Sequence, residues 1–328
     1  MTVRSWLRRL GSLVLGLAAI GAVVYVVNPA SVAHAITSFR VVLIPAILAL
    51  TLLFYVLQGI RWQFLLRDAG AHLRTQDTIV LNAAGQAITA IVPLGDLTRA
   101  LFASEASGID FGTVAATVTV QELGYTLMLV VFALPTLLVF HLGIAAVVVT
   151  ALGIAGIVVI LTVSPVFCAI HTLMARVPLL KRVLPAVDEL QEEAAALLHR
   201  PDALAWSALD LARVAVAITS FWLIVVGLAP GSISWWQAAF VLALSVIGGA
   251  VSLLPGGVGA NEASVVGLLV LLGVGGGVGA AAAVIQRGLI TGMSLALGFS
   301  GYAIARKRFR IGGLFSLIHR RPPAAVPA

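Results

Sequence analysis

Long apolar stretches recur along this chain of 328 residues, and they constrain its fold more than any other feature. A transmembrane helix needs about 20 predominantly apolar residues. Stretches that reach or approach this length occupy residues 10–27, 41–60, 113–139, 144–163, 203–228, 238–254 and 278–304. Since 61% of the residues are hydrophobic and only 10% are charged, there is too little polar material to cover a soluble globule. The sequence therefore predicts an all-α polytopic membrane protein.

Two shorter apolar stretches, residues 78–92 and 264–272, lie next to breaks that contain Pro93 and Pro255. Irregular backbone at membrane depth is tolerated only where protein or a water-filled cavity surrounds it. We therefore expect about six full spans plus two re-entrant helical hairpins that enter from opposite faces as an inverted repeat. The hairpins are residues 78–112 and 236–275. Eight full spans are the alternative, because the stretch that begins at residue 238 is long enough to cross.

Basic residues indicate the orientation of the spans, because lysine and arginine collect on the cytoplasmic side. Of the 20 basic residues, 16 lie in the amino end, residues 61–74, residues 176–200 and residues 306–321. We expect all four groups, and therefore both termini, on the cytoplasmic side of the inner (plasma) membrane. The first apolar stretch is expected to be an uncleaved span. Cleavage after the Ala33-His34-Ala35 motif is the alternative.

We expect one integral membrane domain over residues 1–328. Its parts are a first half (10–163), a cytoplasmic connector (165–202), a second half (203–305) and a basic cytoplasmic tail (306–328). Apolar residues recur at helical spacing within the connector, between residues 183 and 199. This pattern predicts an amphipathic helix packed on the bundle.

Ionisable residues follow both breaks, and the second set has the reverse order of charge. Arg99 precedes Glu122 in the first half, and Glu262 precedes Arg287 in the second. A charge in hydrocarbon is costly unless it has a partner or lines a wet cavity. One interpretation is two ion pairs that hold broken helices to their neighbours. The other is a polar path for a headgroup, in which arginine binds phosphate and a carboxylate binds an ammonium group or a coupling cation.

Further polar groups near the breaks extend the predicted substrate-binding set. Asp96 and Asn261 are expected to support the path with their side chains. Backbone amides released at Gly256, Gly257 and Gly259 can donate to an anion. We therefore expect substrate contacts from these five residues and from the four ionisable ones.

Two other pairs are expected to serve the structure. Asp210 and Arg213 lie three residues apart, the spacing of neighbours on one helical face, and are predicted to form a structural ion pair. A role for them in transport is the alternative. Arg61 and Trp62 end the second apolar stretch and are expected to anchor it at the inner interface.

The sequence holds no motif that indicates an enzyme, a metal centre or a cofactor. The six histidines have no metal-ligand spacing, and a single cysteine excludes an internal disulfide. A Gly-x-Ser-x-Gly elbow and a Walker phosphate loop are both absent. Basic residues form no continuous face with interleaved aromatics, which argues against nucleic-acid binding. We therefore expect a protein that is not an enzyme.

Four motifs resemble those of a known family, the transmembrane, flippase-like region of lysylphosphatidylglycerol synthases and its stand-alone relatives. They are Gly59-Ile60-Arg61-Trp62 with Leu65-Leu66, Val92-Pro93-Leu94-Gly95-Asp96 with Arg99, Leu254-Pro255-Gly256-Gly257-Val258-Gly259 with Glu262, and Gln286-Arg287. The resemblance implies an inner-membrane protein that moves a lipid between leaflets, such as an aminoacylated phospholipid or a polyprenyl-linked glycolipid. The synthases also carry a soluble transferase domain, which this chain does not show, so the resemblance does not imply synthesis.

We therefore expect a lipid flippase-like transporter with a polar site near the bilayer midplane and a membrane lipid as its partner. The alternative is a non-transporting accessory protein that docks a lipid-modifying transferase, with its charged residues as internal ion pairs. A membrane-embedded transferase is a third class, for which no catalytic constellation is visible in the sequence.

Overall fold

A computed structural model gives the fold of residues 28–89, 97–139, 202–252 and 257–309, together with four single residues (Gly21, Tyr25, Cys168 and Thr172). The helices are α1 (Pro29–Thr37), α2 (Ile44–Asp68, preceded by a short 3-10 turn, Val41–Leu43), α3 (Thr75–Thr89), α4 (Leu97–Ser107), α5 (Phe111–Val139), α6 (Asp202–Leu228), α7 (Trp235–Val251), α8 (Ala260–Leu271) and α9 (Gly276–Phe309). No strand occurs within these ranges. The predicted all-α class is therefore confirmed for the described part of the chain.

Four segments are long and apolar enough to cross a membrane. They are Val41–Asp68, Phe111–Leu137, Ala208–Leu228 and Gly276–Phe309, and each coincides with a predicted span. Helices suit this environment because every backbone polar group away from their ends is satisfied within the helix. The chain is therefore a polytopic membrane protein. The predicted spans at 10–27 and 144–163 and the connector helix at 183–199 lie outside the described ranges.

The remaining helices near the two breaks are short and form contacting pairs. α3 and α4 have 15 and 11 residues, and α7 and α8 have 17 and 12. All four fall below the about 20 residues of a straight span. The members of each pair contact each other. Pro93 and Pro255 lie outside the described residues, so the two re-entrant hairpins stay a prediction.

Glycine allows close approach within both short pairs. In the first pair, a Cβ atom built on Gly85 would lie 2.7 Å from the Cβ of Arg99. In the second, a Cβ atom built on Gly249 would lie 3.3 Å from the Cβ of Asn261. Real Cβ contacts are looser than the first of these distances, so that helix crossing requires glycine. The approach at Gly85 is closer than that at Gly249, although a Cβ atom built on Gly248 would also lie 2.7 Å from the hydroxyl oxygen of Ser264, the movable end of a side chain.

Helix α9 connects the parts of the molecule. It contacts α3, α8, α1 and α6 along its length. A Cβ atom built on Gly301 would lie 2.7 Å from the backbone nitrogen of Ala84, so α9 and α3 cross with their backbones almost touching. With 34 residues, the helix is about 51 Å long at 1.5 Å per residue.

A short helix, α1, precedes the first described span. Asn28 begins it from the left-handed region, with φ of 83°, and its side-chain oxygen accepts a hydrogen bond of 3.0 Å from the amide of Ala30. Pro29 stands at the first helical position, where its missing N–H costs nothing. α1 packs on the start of α9, where Gly277 lies against Ser31.

Candidate functional site

An ion centre around Glu122 joins two arginines, one from each half of the chain, to one carboxylate. Glu122 on α5 accepts hydrogen bonds from Arg99 of α4, at 2.7 Å, and from Arg213 of α6, at 3.2 and 3.3 Å. The two arginine side chains are 0% and 1% exposed, whereas that of Glu122 is 35% exposed. We call these three residues the first ion centre.

Amide side chains surround Arg99 and Glu122 in the first ion centre and supply part of their hydrogen bonds. Arg99 donates to the side-chain oxygens of Asn82, at 2.9 Å, and Gln121, at 3.0 Å. Gln58 donates to Glu122 at 3.2 Å and accepts from Asn82 and Gln86. A buried polar network is favourable only when its members are satisfied, and here four amides from three helices supply the partners.

Aromatic rings cover the guanidinium groups of the first ion centre. Trp62 lies 5.3 Å from the guanidinium carbon of Arg99, and its indole N–H donates to Thr117 at 2.8 Å. The guanidinium of Arg213 lies 4.7 Å from the ring of Phe54 and 4.3 Å from that of Tyr125. Such cation–π contacts stabilise a desolvated cation by about 2 kcal/mol.

The predicted ion pair between Asp210 and Arg213 is wrong. Asp210 instead accepts from Arg61 at 2.9 Å, and Arg213 donates to Glu122. Residues three apart share a helical face, but these two side chains meet different neighbouring helices, α2 and α5, which offer opposite charges. Arg61 and Trp62 are therefore buried, with 4% and 0% exposure, and do not anchor the helix at an interface.

The second half has a simpler ion centre. Glu262 in the first turn of α8 forms an ion pair with Arg287 of α9, and its other oxygen accepts from the backbone N–H of Gly259 at 2.5 Å. Gly259 has φ of 89°, which turns its amide towards this carboxylate. The side chain of Glu262 is 5% exposed and that of Arg287 is 28% exposed. We call Glu262 and Arg287 the second ion centre.

A cavity of about 220 Å³ lies between the two halves, among α2, α5, α6, α7, α8 and α9. Apolar and aromatic side chains form most of its wall, and polar groups come from Asn261, Gln286 and the second ion centre. Ile290 on the wall is 38% exposed, and Arg287 also keeps some exposure, so the cavity is not sealed from the surface of the bundle.

The cavity also borders the first ion centre. Tyr125 and Val216 line it and lie three residues after Glu122 on α5 and Arg213 on α6, respectively. Phe54 and Tyr125 line the cavity and also contact the guanidinium of Arg213. The first ion centre therefore lies one layer of side chains away from the cavity.

The structure brings together most of the predicted site residues. Arg99 meets Glu122, Glu262 meets Arg287, and Asn261 lies on the cavity wall. The backbone of Gly257 lies against Gly249 at a positive φ of 63°, and the amide of Gly259 is occupied by Glu262. The predicted contacts from Asp96 and Gly256 fall outside the described residues.

Sequence reasoning missed three features of the site. It did not assign Arg213 to Glu122, it placed no aromatic pair over Arg213, and it did not predict the amides around Arg99. Of these three features, the amides around Arg99 could have been predicted from the sequence. Gln58, Asn82, Gln86 and Gln121 are amides within apolar segments, and a buried amide needs a partner.

Similarity to known proteins agrees with the geometry. Residues 10–298 match the family described as "Lysylphosphatidylglycerol synthase TM region". Among curated proteins, no sequence matches the chain.

Proposed function

We propose, from the premise that this chain belongs to the family of the lysylphosphatidylglycerol synthase TM region, that it is a lipid flippase-like transporter. The family indicates a membrane protein involved in lipid handling. The proposal is that the chain moves a polar-headed lipid between the leaflets, through the cavity between its two halves.

The observation that carries the proposal is the pairing of an ion centre with an apolar cavity wall. Glu262 and Arg287 face the same space as Phe221 and Val265. A polar headgroup needs charged or hydrogen-bonding partners within the membrane, and an acyl chain needs apolar surface. The cavity offers both, and the exposure of Ile290 at its wall gives the tails a route to the lipid phase.

Arginine suits the chemistry of such a headgroup. Its planar guanidinium forms charge-assisted, bidentate hydrogen bonds with phosphate oxygens, and it stays charged inside the membrane. Arg287 is held by Glu262 but remains partly exposed, so a phosphate can approach without the ion pair being broken first.

Transport can be measured in liposomes that contain the purified protein and a fluorescent phospholipid. Dithionite added outside quenches only the outer leaflet, so additional quenching reports movement across the bilayer. We expect wild-type protein to move lipid and Arg287→Ala to move it about tenfold more slowly, the factor for losing one charged contact of about 1.4 kcal/mol. Arg306→Ala removes an exposed arginine from the end of the same helix and should leave the rate unchanged.

Folding must be checked separately, because Arg287→Ala leaves Glu262 without its arginine. The double variant Glu262→Gln with Arg287→Gln removes both charges and serves as the second test. Failure of wild-type protein to move any lipid, together with co-purification of a lipid-modifying transferase, would contradict transport and favour an accessory protein.

A further inference from the structure

The carboxylates at the cavity are already occupied by protein donors. Both oxygens of Glu262 are used, one by Arg287 and the other by the amide of Gly259. Both oxygens of Glu122 accept from Arg213, and one of them also accepts from Arg99. An ammonium group that entered the cavity would have to displace an arginine from its carboxylate to bind there.

The arginines, in contrast, have donors to spare. The Nε and Nη1 atoms of Arg213 are buried and have no hydrogen-bond partner in the described part of the chain. The same holds for Nη1 of Arg61 and Nε of Arg99, whereas Oδ1 of Asp210 is the carboxylate oxygen near these arginines that lacks a donor among the described residues. Leaving a buried donor unpaired costs about 1–3 kcal/mol, and more when the donor is charged.

The charges around the first ion centre do not balance. Two neighbouring sets of ion pairs, one around Glu122 and one between Arg61 and Asp210, hold three arginines and two carboxylates, which gives a net charge of +1 for the described side chains. They are Arg61, Arg99, Arg213, Glu122 and Asp210. The second ion centre is neutral, with one residue of each sign. An uncompensated buried charge is strongly unfavourable, so an anion beside Arg213 would stabilise the arrangement.

The spare donors lie one helical turn from the cavity. Arg213 shares a face of α6 with Val216, Ala217 and Ser220, all of which line the cavity. The rings of Phe54 and Tyr125 cover its guanidinium, and both rings line the cavity. A rotation of either ring would bring the unpaired N–H groups of Arg213 into line with the space that Arg287 borders.

We infer that the cavity selects a net-anionic, phosphate-bearing lipid, whose phosphate binds between Arg213 of the first ion centre and Arg287 of the second. This inference rests on the proposed function and names its substrate class. A phosphodiester that carries no ammonium group fits, because it supplies acceptors to the unpaired donors and balances the excess positive charge. Lipids with an added amine, including aminoacylated phospholipids, are handled poorly because Glu262, the carboxylate on the described cavity wall, already has both oxygens occupied.

The first test needs only wild-type protein. Three fluorescent lipids with identical tails are compared in phosphatidylcholine liposomes: phosphatidylglycerol (−1), phosphatidylethanolamine (neutral) and lysylphosphatidylglycerol (+1). Phosphatidylglycerol should move about tenfold faster than the lysylated form. Equal rates, or faster movement of the lysylated lipid, would overturn the inference and leave transport intact. Equal rates would also mean that residues outside the described ranges balance the charge.

The second test measures retention and does not depend on transport. Native mass spectrometry of protein extracted gently from membranes with known lipid content should show anionic lipid enriched over the zwitterionic lipid. Retention without this enrichment would refute the inference even if no lipid moves in liposomes. An excess of glycerol 3-phosphate, which has no tails, should not displace the retained lipid; displacement would show that the site binds a free phosphate ester.

Variants of Arg213 assign the selectivity to the proposed site. Arg213→Gln should abolish the preference for phosphatidylglycerol, while Glu122 keeps Arg99 and Gln58 as partners. Arg213→Lys keeps the charge and should retain part of the preference, which separates charge from misfolding. Arg306→Gln removes one positive charge from the exposed end of α9 and should not change the preference. Unchanged selectivity in Arg213→Gln would exclude Arg213 from the site.

Discussion

The two ion centres use the same residue types in opposite order along the chain. They differ in how far their arginines are buried and in how many partners these arginines have. The side chain of Arg99 is 0% exposed and contacts Glu122, Asn82, Gln121 and the ring of Trp62. The side chain of Arg287 is 28% exposed and lies on a cavity wall. The difference teaches that one intramembrane ion pair can be enclosed by protein while another of the same residue types borders a cavity.

Exposure decides the energetics of each arginine. A fully buried charge depends on every hydrogen bond around it, because no water replaces a lost partner. A charge at a cavity can be solvated again when one partner leaves. The first ion centre is therefore expected to hold the α3–α4 pair against α5, and the second is expected to respond to what enters the cavity.

The largest expected effect comes from removing the two arginines one at a time. Arg99→Met should lower the free energy of unfolding by about 3–5 kcal/mol, since it removes one of the two arginines paired with Glu122 and the donor to the buried amide oxygens of Asn82 and Gln121. Arg287→Met should cost only about 1–2 kcal/mol, because Glu262 keeps the amide of Gly259 and the cavity admits water. Chemical unfolding in detergent, followed by tryptophan fluorescence, measures both. Equal losses of unfolding free energy in the two variants would contradict the proposed difference between the ion centres.

Glycine substitutions test whether the first short pair is packed more tightly than the second. Gly85→Ala should destabilise by about 1–3 kcal/mol, because its methyl group would collide with Arg99. Gly249→Ala should cost less, since its nearest neighbour is 3.3 Å away. Gly288→Ala is the control: nothing lies within 4 Å, so alanine should stabilise the helix by up to about 1 kcal/mol. A larger loss for Gly249→Ala would reverse the ranking.

Trp62 provides a further test of the comparison because its ring packs against Arg99 of the first ion centre. Trp62→Phe keeps a ring near Arg99 but loses the 2.8 Å hydrogen bond to Thr117. We expect a loss of about 1 kcal/mol, the typical net value of one hydrogen bond. Trp236, which is 46% exposed, provides the matched control, and Trp236→Phe should change stability by less than about 0.5 kcal/mol. Thermal unfolding in detergent gives both values.

The smallest effect is expected outside both centres. Arg308 at the end of α9 is 42% exposed and pairs with Asp77 of α3 at 2.8 Å. Arg308→Gln should cost no more than about 1 kcal/mol, because an exposed arginine is solvated and screened by salt. The cost should shrink as ionic strength rises. A salt-independent loss as large as that of Arg99→Met would show that burial does not rank these ion pairs.

Apolar length was sufficient to predict the four described spans, because a membrane helix needs only a run of hydrophobic residues. The ion pairs of Arg99 with Glu122 and of Glu262 with Arg287 could also be predicted from the sequence, since charges in hydrocarbon need partners. Each of these pairs is separated by 23 or 25 residues. That separation corresponds to the next helix in the chain.

Ion-pair partners from segments that are distant in the sequence could not be predicted in this way. Arg213 and Glu122 are 91 residues apart, and Arg61 and Asp210 are 149 apart. Their pairing depends on which helices become neighbours, and local spacing carries no information about that. Local spacing instead favoured Asp210 with Arg213, and the approach of α2 and α5 to the same face of α6 overrode it.

Helix α9 connects the cavity to the crossing with α3. Arg287 and Gly301 are 14 residues apart on one unbroken helix, about 21 Å along its axis. Gly301 touches the backbone of α3 so closely that only hydrogen fits between them. A displacement of Arg287 would therefore also shift α9 against α3 at this crossing. The close contact at Gly301 limits how far the two helices can move past each other.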